Sequence, residues 1–335
     1  MIRLTSLLIF VVIAASCHHQ AKPFSFYYWK TIFAPDSLEK ETLAYNKVQK
    51  LYLRYFDIDL APADSLPAPV APMVFKDSCP WQVIPVIFIR NRVFERQTAD
   101  DSLAGKVFRL ISDISQSHHL RTDQVQFDCD WTARTKDRYF QFLQQYQALS
   151  GQTVTCTIRL HQVKYPMRTG IPPLQRGVLM FYNMGNIDAG EGSSIYDPAI
   201  AERYLPSLAS YPMDLDVALP IFSWGMQIRH GAVVRLLNKV NFHHFEHDVN
   251  FEPSDYNRYR AKVACFSGGY YFQQGDIVKI EQVPANDLER MIKNIEQHSN
   301  QRLHEVLFFD LDTTNLVLYD KDVFKKVLDH FHGGL

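Results

Sequence analysis

Two aspartates set two residues apart are the most chemically suggestive feature of this chain. They lie in the run Val125-Gln126-Phe127-Asp128-Cys129-Asp130-Trp131-Thr132. In a strand, successive side chains point to opposite faces. Gln126, Asp128, Asp130 and Thr132 therefore share one face, and Val125, Phe127, Cys129 and Trp131 share the other. Two such carboxylates stand roughly 6–7 Å apart by strand rise. A pair of this kind can separate its pKa values and divide acid and base work, with Asp130 as acid/base and Asp128 tuning it. The plainer alternative is that both cap loops or pair with Arg159. In the next apolar run Thr155, Thr157 and Arg159 share a face, which brings Arg159 toward the aspartates as structural partner or substrate clamp. Arg54 is similarly placed inside the run 50–56, and Asp57 closes it.

The elements that must position these residues recur along the chain. Short runs rich in β-branched and aromatic residues fall at 24–29, 50–56, 83–89, 125–131, 153–160, 177–182, 216–222 and 305–311. Their composition is that of strands buried by helices. Helical periodicity appears between them. Val107, Leu110, Ile111 and Ile114 form one stripe, and Tyr139, Phe142, Leu143, Tyr146 and Leu149 a second, with Thr135 as N-cap. Leu288, Met291, Ile292 and Ile295 form a third, opened by Pro284 and Asn286. Eight strands alternating with helices predict an α/β fold, an irregular (β/α)8 TIM barrel over 24–320, with a C-terminal segment 321–335. The proline-rich stretch 57–82 reads as a wrapping loop. After the seventh strand, an insertion over about 225–283 is expected to hold a helix near 231–240 and a hairpin around 268–275. A doubly wound open sheet would usually carry a glycine-rich phosphate turn, and none is present.

At the sixth run, Met180-Phe181-Tyr182-Asn183 resembles the Met-x-Tyr-Asp/Asn signature of chitinase-type barrels, glycoside hydrolase family 18. Asp128-x-Asp130 is similar to the middle of that family's Asp-x-x-Asp-x-Asp-x-Glu motif, and Ala218-Leu219-Pro220 is a weaker echo. The stretch 125–183, with Gly275-Asp276-Ile277 and Phe309-Asp310-Leu311, also resembles an uncharacterised bacterial family of glycoside-hydrolase-like barrels. The resemblance implies a glycan partner containing N-acetylhexosamine or related sugars, contacted by Tyr182 and Asn183; from their facing polarity Arg54 and Arg159 are expected to bind its polar or acidic groups, with Asp57 a further substrate-binding residue. Two departures stand out: Thr132 occupies the position of the general acid, and the eighth-strand Trp is missing from Leu307-Phe308-Phe309-Asp310. Either Asp130 or Asp128 has taken the acid role, another residue supplies it, or the barrel binds without cleaving. A non-catalytic glycan receptor and an envelope interaction protein therefore remain beside the hydrolase.

Flat aromatic faces near predicted strand ends suit the apolar face of a pyranose: Tyr28, Trp29, Tyr55, Tyr182 and Trp224. Core packing is the alternative for each, and Trp224, inside Ser223-Trp224-Gly225, is the best exception. The cluster His243-His244-Phe245-Glu246-His247-Asp248 places His243 and His247 on one face of a helix, but its order is not His-Glu-x-x-His. It reads as solvated histidines, and neither metal nor cofactor is expected.

With 35 basic against 36 acidic side chains, nothing points to nucleic acid. The N-terminus combines Arg3, an apolar stretch too short to span a bilayer, and Ala14-Ala15-Ser16-Cys17. This resembles the lipobox of bacterial lipoproteins and implies a signal peptide 1–16, lipidation at Cys17 and a tether 17–23. An ordinary secretory signal is the alternative. His18 and His19 lack the Asp that retains lipoproteins at an inner membrane, so a lipid-anchored, periplasm-facing outer-membrane location is expected. Cys79, Cys129, Cys156 and Cys265 match no zinc spacing and are expected to be mostly buried thiols.

Overall fold

A computed structural model describes residues 24–62, 66–95, 102–300, 303–329 and 331; the expected signal peptide and tether, with Cys17, lie outside the described residues. Eight parallel strands form the centre: β1 (Phe24–Tyr28), β2 (Lys50–Leu60), β3 (Gln82–Ile89), β4 (Gln124–Asp128), β5 (Thr153–Arg159), β6 (Arg176–Met180), β7 (Asp214–Pro220) and β8 (Val306–Phe309). Each bonds its sequence neighbour, and β1 bonds both β2 and β8, so the sheet closes on itself. The fold is the expected (β/α)8 barrel.

Strand alternation places the side chains as anticipated. Phe26, Val125, Phe127, Cys156 and Ile158 are fully buried in the hydrophobic core. Phe127 meets Phe142 and Tyr146 edge-on across the barrel wall. The alternate residues form a polar interior in which most side chains are hydrogen-bonded, Asp216 being the exception. Tyr27 donates its hydroxyl to Gln126 Oε1 at 2.7 Å, and Thr157 donates to Asp128 Oδ1 at 2.6 Å. At the barrel floor Glu305 accepts from Ser25, from Lys50 Nζ at 2.5 Å and from Tyr52 at 3.1 Å. Buried polar groups are tolerated only when so paired.

The outer ring contains α1 (Ser37–Tyr45), α2 (Leu103–Ser117), α3 (Lys136–Ser150), α4 (Ala285–His298) and α5 (Val323–Asp329). The stripes on α2, α3 and α4 face the strands, except that Leu149 ends up exposed beside Gly151, whose left-handed backbone stops α3. Thr135 occupies the N-cap position of α3 without bonding the helix; its hydroxyl goes to Asn91 Oδ1 at 2.6 Å instead. Phe324 of α5 packs edge-on against Phe26 and Phe308, so the barrel wall continues past residue 320.

Two expectations fail. The stretch 57–82 is not a plain loop: β2 runs on to Leu60, and Pro67–Val70 folds back antiparallel to it. Its prolines are accommodated because the pair stands at a sheet edge. The anticipated helix near 231–240 is a strand, Ala232–Asn238, paired antiparallel with Trp224–Arg229. The two residues between them, His230 and Gly231, both have positive φ, the backbone of a tight two-residue hairpin turn, and Val233 and Val234 suit the strand. With Phe251–Asp255, Arg258–Ala261 and Ile277–Glu281 these strands make a five-stranded antiparallel sheet with its own small core around Phe245, Phe251 and Phe272. The hairpin expected around 268–275 is present, with Gly268 and Gly269 at its turn. Among the described residues no helix is long and apolar enough to cross a membrane.

Candidate functional site at the barrel mouth

The C-terminal ends of the strands, where barrels of this kind carry their chemistry, gather most of the residues singled out from sequence. β4 ends at Asp128, so Asp130 lies just beyond the barrel on an exposed turn. Its carboxylate is not solitary: Arg159, from the end of β5, donates Nε to Asp130 Oδ1 at 2.6 Å. Asp128 remains inside the barrel. Burial pushes its carboxyl above the ordinary range, Arg159 pulls it back, and the Asp130 charge pushes it up again. Trp131 turns outward, buried against Tyr139 and Phe140 with its indole N–H on Thr169 O at 2.9 Å. Thr132 is occupied locally, its hydroxyl 3.3 Å from that of Thr135.

Arg54 and Asp57 form a second guanidinium–carboxylate pair, two-pronged, with Nε to Oδ1 at 2.7 Å and Nη2 to Oδ2 at 2.5 Å. Three residues apart, they would point to opposite faces of a regular strand. The register of β2 on β3 shifts between Arg54 and Phe56, a bulge at Tyr55 that returns both to one face. Arg54 also lies over the Trp29 ring, 5.5 Å from its centroid.

An aromatic floor joins these pairs. Phe309, the last residue of β8, stacks on Tyr182 at 5.6 Å and meets Trp29 at 5.3 Å and Phe222 at 5.8 Å. Phe222 in turn meets Tyr182 and Trp224 edge-on. Trp29, Phe222, Trp224 and Phe309 are half-buried, whereas Tyr182 is buried, with its hydroxyl 3.3 Å from Met180 Sδ. Asn183 is exposed in a left-handed conformation, held by its backbone N–H on Ile195 O at 2.8 Å. Tyr28 and Tyr55 are core residues.

Three site residues escape sequence reasoning. Phe309 supplies an aromatic at the strand end where the family pattern led us to look for Trp, and Phe222 links it to Trp224. The third is Asp310, directly after Phe309, whose carboxyl is pushed up to about 6. Burial is the main cause and the Asp312 charge adds to it, against Lys239 and a 2.7 Å hydrogen bond from Asn315. Phe309-Asp310 was already visible as a motif fragment, but nothing in the sequence signals how deeply the acid is enclosed.

Among the described residues, His243, Glu246 and His247 are the one group whose ligand atoms converge within 4.8 Å. His243 Nδ1 stands 3.5 Å and His247 Nε2 4.0 Å from Glu246 Oε2, all three on the exposed surface of the insertion. Cys129 and Cys156 are buried, Cys79 and Cys265 half-buried, and all four are free. Burial raises these thiols, Cys79 to about 11, so they are inert rather than nucleophilic.

No family model matches the chain, and no curated protein matches it in sequence. Solved structures do match it in shape. A family 18 chitinase from Cycas revoluta in complex with (GlcNAc)4 superposes with a TM-score of 0.56 at 11% identity, over 92% of this chain and 99% of the other. The likeness shows the fold, a (β/α)8 barrel of the kind that such chitinases have. The Bacillus cereus spore cortex-lytic enzyme SleL gives 0.54 at 14% identity over 92% of this chain and 75% of its own. The chitinase-like agglutinin of Robinia pseudoacacia gives 0.54 at 10% identity over 92% and 99%. In this barrel the Asp128–Asp130 pair and Tyr182–Asn183 sit at the ends of β4 and β6, with Arg159 of the intervening strand β5 between them.

Proposed function

We propose that the barrel mouth binds a glycan containing N-acetylhexosamine or a related sugar, and that it binds without cleaving. The observation that carries the reading is the pairing of two carboxylates at the mouth, exposed Asp130 and buried Asp57. Asp130 is engaged by Arg159 and Asp57 by Arg54, and Thr132 stands where the family's proton donor would be. Guanidinium–carboxylate pairs offer fixed donors and acceptors to hydroxyl and amide groups, while Trp29 and Trp224 offer flat apolar faces. Two proteins of similar fold fit the glycan reading: one is a chitinase in complex with (GlcNAc)4, another a chitinase-like agglutinin.

A specific observation favours a second reading, hydrolysis. Asp310 at the end of β8 has its carboxyl pushed up to about 6, near the value that suits a proton donor at neutral pH. The test is a panel of N-acetylhexosamine oligomers presented to the full chain in detergent, followed by calorimetry and product analysis. Binding without product is expected, with Arg159→Gln weakening affinity about tenfold. Product release lost in Asp310→Asn and retained in Asp130→Asn would replace the receptor by a hydrolase whose acid lies on β8. Product release lost in Asp130→Asn would place the acid on the turn after β4.

The same proposal sets the protein in the cell envelope, anchored through lipid on Cys17 and facing the periplasm from the outer membrane. Two or more acyl chains hold a protein stably at a membrane where one does not. Cells fed an alkyne-tagged palmitate are expected to label the chain, and Cys17→Ser to abolish both label and membrane fractionation. Label retained in the variant would end this part of the reading.

A further inference from the structure

The short helix Phe242–Glu246 of the insertion, with His247 as its C-cap, brings two imidazoles and a carboxylate together on the surface. Glu246 and His247 follow His243 by three and four residues, the spacing that gathers side chains on one helix face. Phe245, between them in sequence, is buried instead, edge-on to Phe251 and Phe272 in the small core of the insertion. At the start of the helix the Asn241 side chain donates to Thr314 O at 2.9 Å. The backbone that carries the trio is thus fixed both to the insertion's core and to the barrel.

Other side chains of the same run that could bind a metal are committed to structure. His244 Nδ1 accepts the Asn241 backbone N–H at 3.2 Å and closes the helix cap. Asp248 accepts the Asn250 backbone N–H at 2.9 Å and the Ser267 hydroxyl at 2.6 Å. Among the described residues, no hydrogen bond or ion pair from outside the trio holds the side chains of His243, Glu246 and His247. Glu246 Oε2 stands 3.5 Å from His243 Nδ1 and 4.0 Å from His247 Nε2, and all three ligand atoms lie within 4.8 Å of one another. Ligands bound at about 2.0–2.2 Å to a tetrahedral ion are about 3.4 Å apart. Side-chain movements of about 1 Å therefore close the trio onto an ion.

The donor set selects the ion. Two imidazole nitrogens and a carboxylate oxygen suit zinc, nickel or copper, whereas magnesium and calcium take oxygen ligands. The order His-x-x-Glu-His is itself one that zinc-binding helices use. In sequence the run reads as solvated histidines; what the structure adds is the convergence of three otherwise unheld ligand atoms. We propose that His243, Glu246 and His247 form a surface site for a divalent transition-metal ion of the zinc class, with water completing its coordination. The site is separate from the barrel mouth and independent of what the mouth binds.

The experiment takes the full chain in detergent, free of any affinity tag and stripped with chelator, and titrates it with zinc, nickel and magnesium by calorimetry. One zinc ion per chain is expected to bind at about micromolar affinity, nickel is expected to bind as well, and magnesium is not. His243→Ala and His247→Ala should each weaken zinc about a hundredfold, and Glu246→Gln, which keeps the shape and removes the charge, about tenfold. The side chains of His243, Glu246 and His247 are 46, 48 and 78% exposed, so no variant is expected to lower Tm in chelator. Zinc should raise the Tm of the wild type and leave that of both histidine variants unchanged. Zinc bound by the histidine variants as by the wild type would put the ion elsewhere and overturn the site. Glu246→Gln with wild-type affinity would overturn the carboxylate ligand and with it the three-ligand site. Magnesium bound as tightly as zinc would reduce the trio to a patch of negative charge, and a wild type that binds no zinc overturns the proposal outright.

Discussion

Glu281→Leu is expected to lower the unfolding free energy by roughly 3–5 kcal/mol, the range for breaking a buried ion pair from one side. Glu281 and Lys279 are each 1% exposed, two residues apart on the same face of Ile277–Glu281, and 2.8 Å from each other. That face is where the insertion meets the barrel. Lys279 Nζ donates to Gly192 O at 2.6 Å, while Glu281 accepts the Ser194 N–H at 2.9 Å, the Ser194 hydroxyl and the Trp224 indole N–H. Removing the carboxylate strands an ammonium in a site that water does not reach. Removing both charges, in Lys279→Met/Glu281→Leu, leaves only neutral groups unpaired, which is milder. The double variant should therefore regain about 2 kcal/mol or more over Glu281→Leu. Urea unfolding of wild type, both singles and the double measures this coupling. Single effects that merely add would show that the two charges do not hold each other.

The same segment shows where sequence reasoning stops. The eight strands were legible because each is a short apolar run, and alternation within them was legible because the strand period is two. That is why the sequence alone aims Arg159 at the aspartates and sends Trp131 outward. The pairing of Arg54 with Asp57 was not legible in the same way. It depends on the bulge at Tyr55, and a one-residue slip reverses every later side chain on the strand. The insertion failed for a related reason. The stretch 231–240 was read as helix, but two residues in the left-handed region at 230 and 231 turn the chain back into a hairpin. Only Gly231 advertises that conformation; His230 is held in it by the strands on either side. The contact of Lys279 and Glu281 with the segment after β6 is beyond reach altogether. It joins residues of the barrel and of the insertion that are far apart in the chain, and no local pattern records their meeting. Asp310 lies between these cases: its position is readable, whereas its raised pKa comes from burial, with the Asp312 charge adding to it.

Enclosure of another acid, at the opposite end of the barrel, gives the second large effect. Asp216 on β7 is 1% exposed, and its carboxyl is pushed up to about 7. Burial is the main cause. Arg176 pulls the value down but its Nε stands 3.5 Å away, and the Glu305 charge pushes it up again. The unfolded chain releases this proton near the ordinary value of 3.8, while the folded chain keeps it to about 7. Between those pH values the folded state holds more protons than the unfolded state, so stability from this group falls as pH rises. Below about pH 4 both states are protonated and no penalty exists; above about pH 7 it is fully present. The span of about 3 pH units corresponds to a penalty on the order of 4 kcal/mol, an upper figure for a site that can relax. Asp216→Asn keeps the shape and cannot ionise. It is therefore expected to be more stable than wild type at pH 8 by up to about that amount, with the advantage shrinking as pH falls toward 4. Residues at this end of a barrel support the fold rather than its chemistry, so glycan binding at the mouth should be unchanged in the variant. Urea unfolding at pH 5, 6.5 and 8 gives the comparison. Parallel pH profiles for wild type and Asp216→Asn would mean that Asp216 is ionised in the folded protein, with Arg176 neutralising it more completely than a 3.5 Å separation implies.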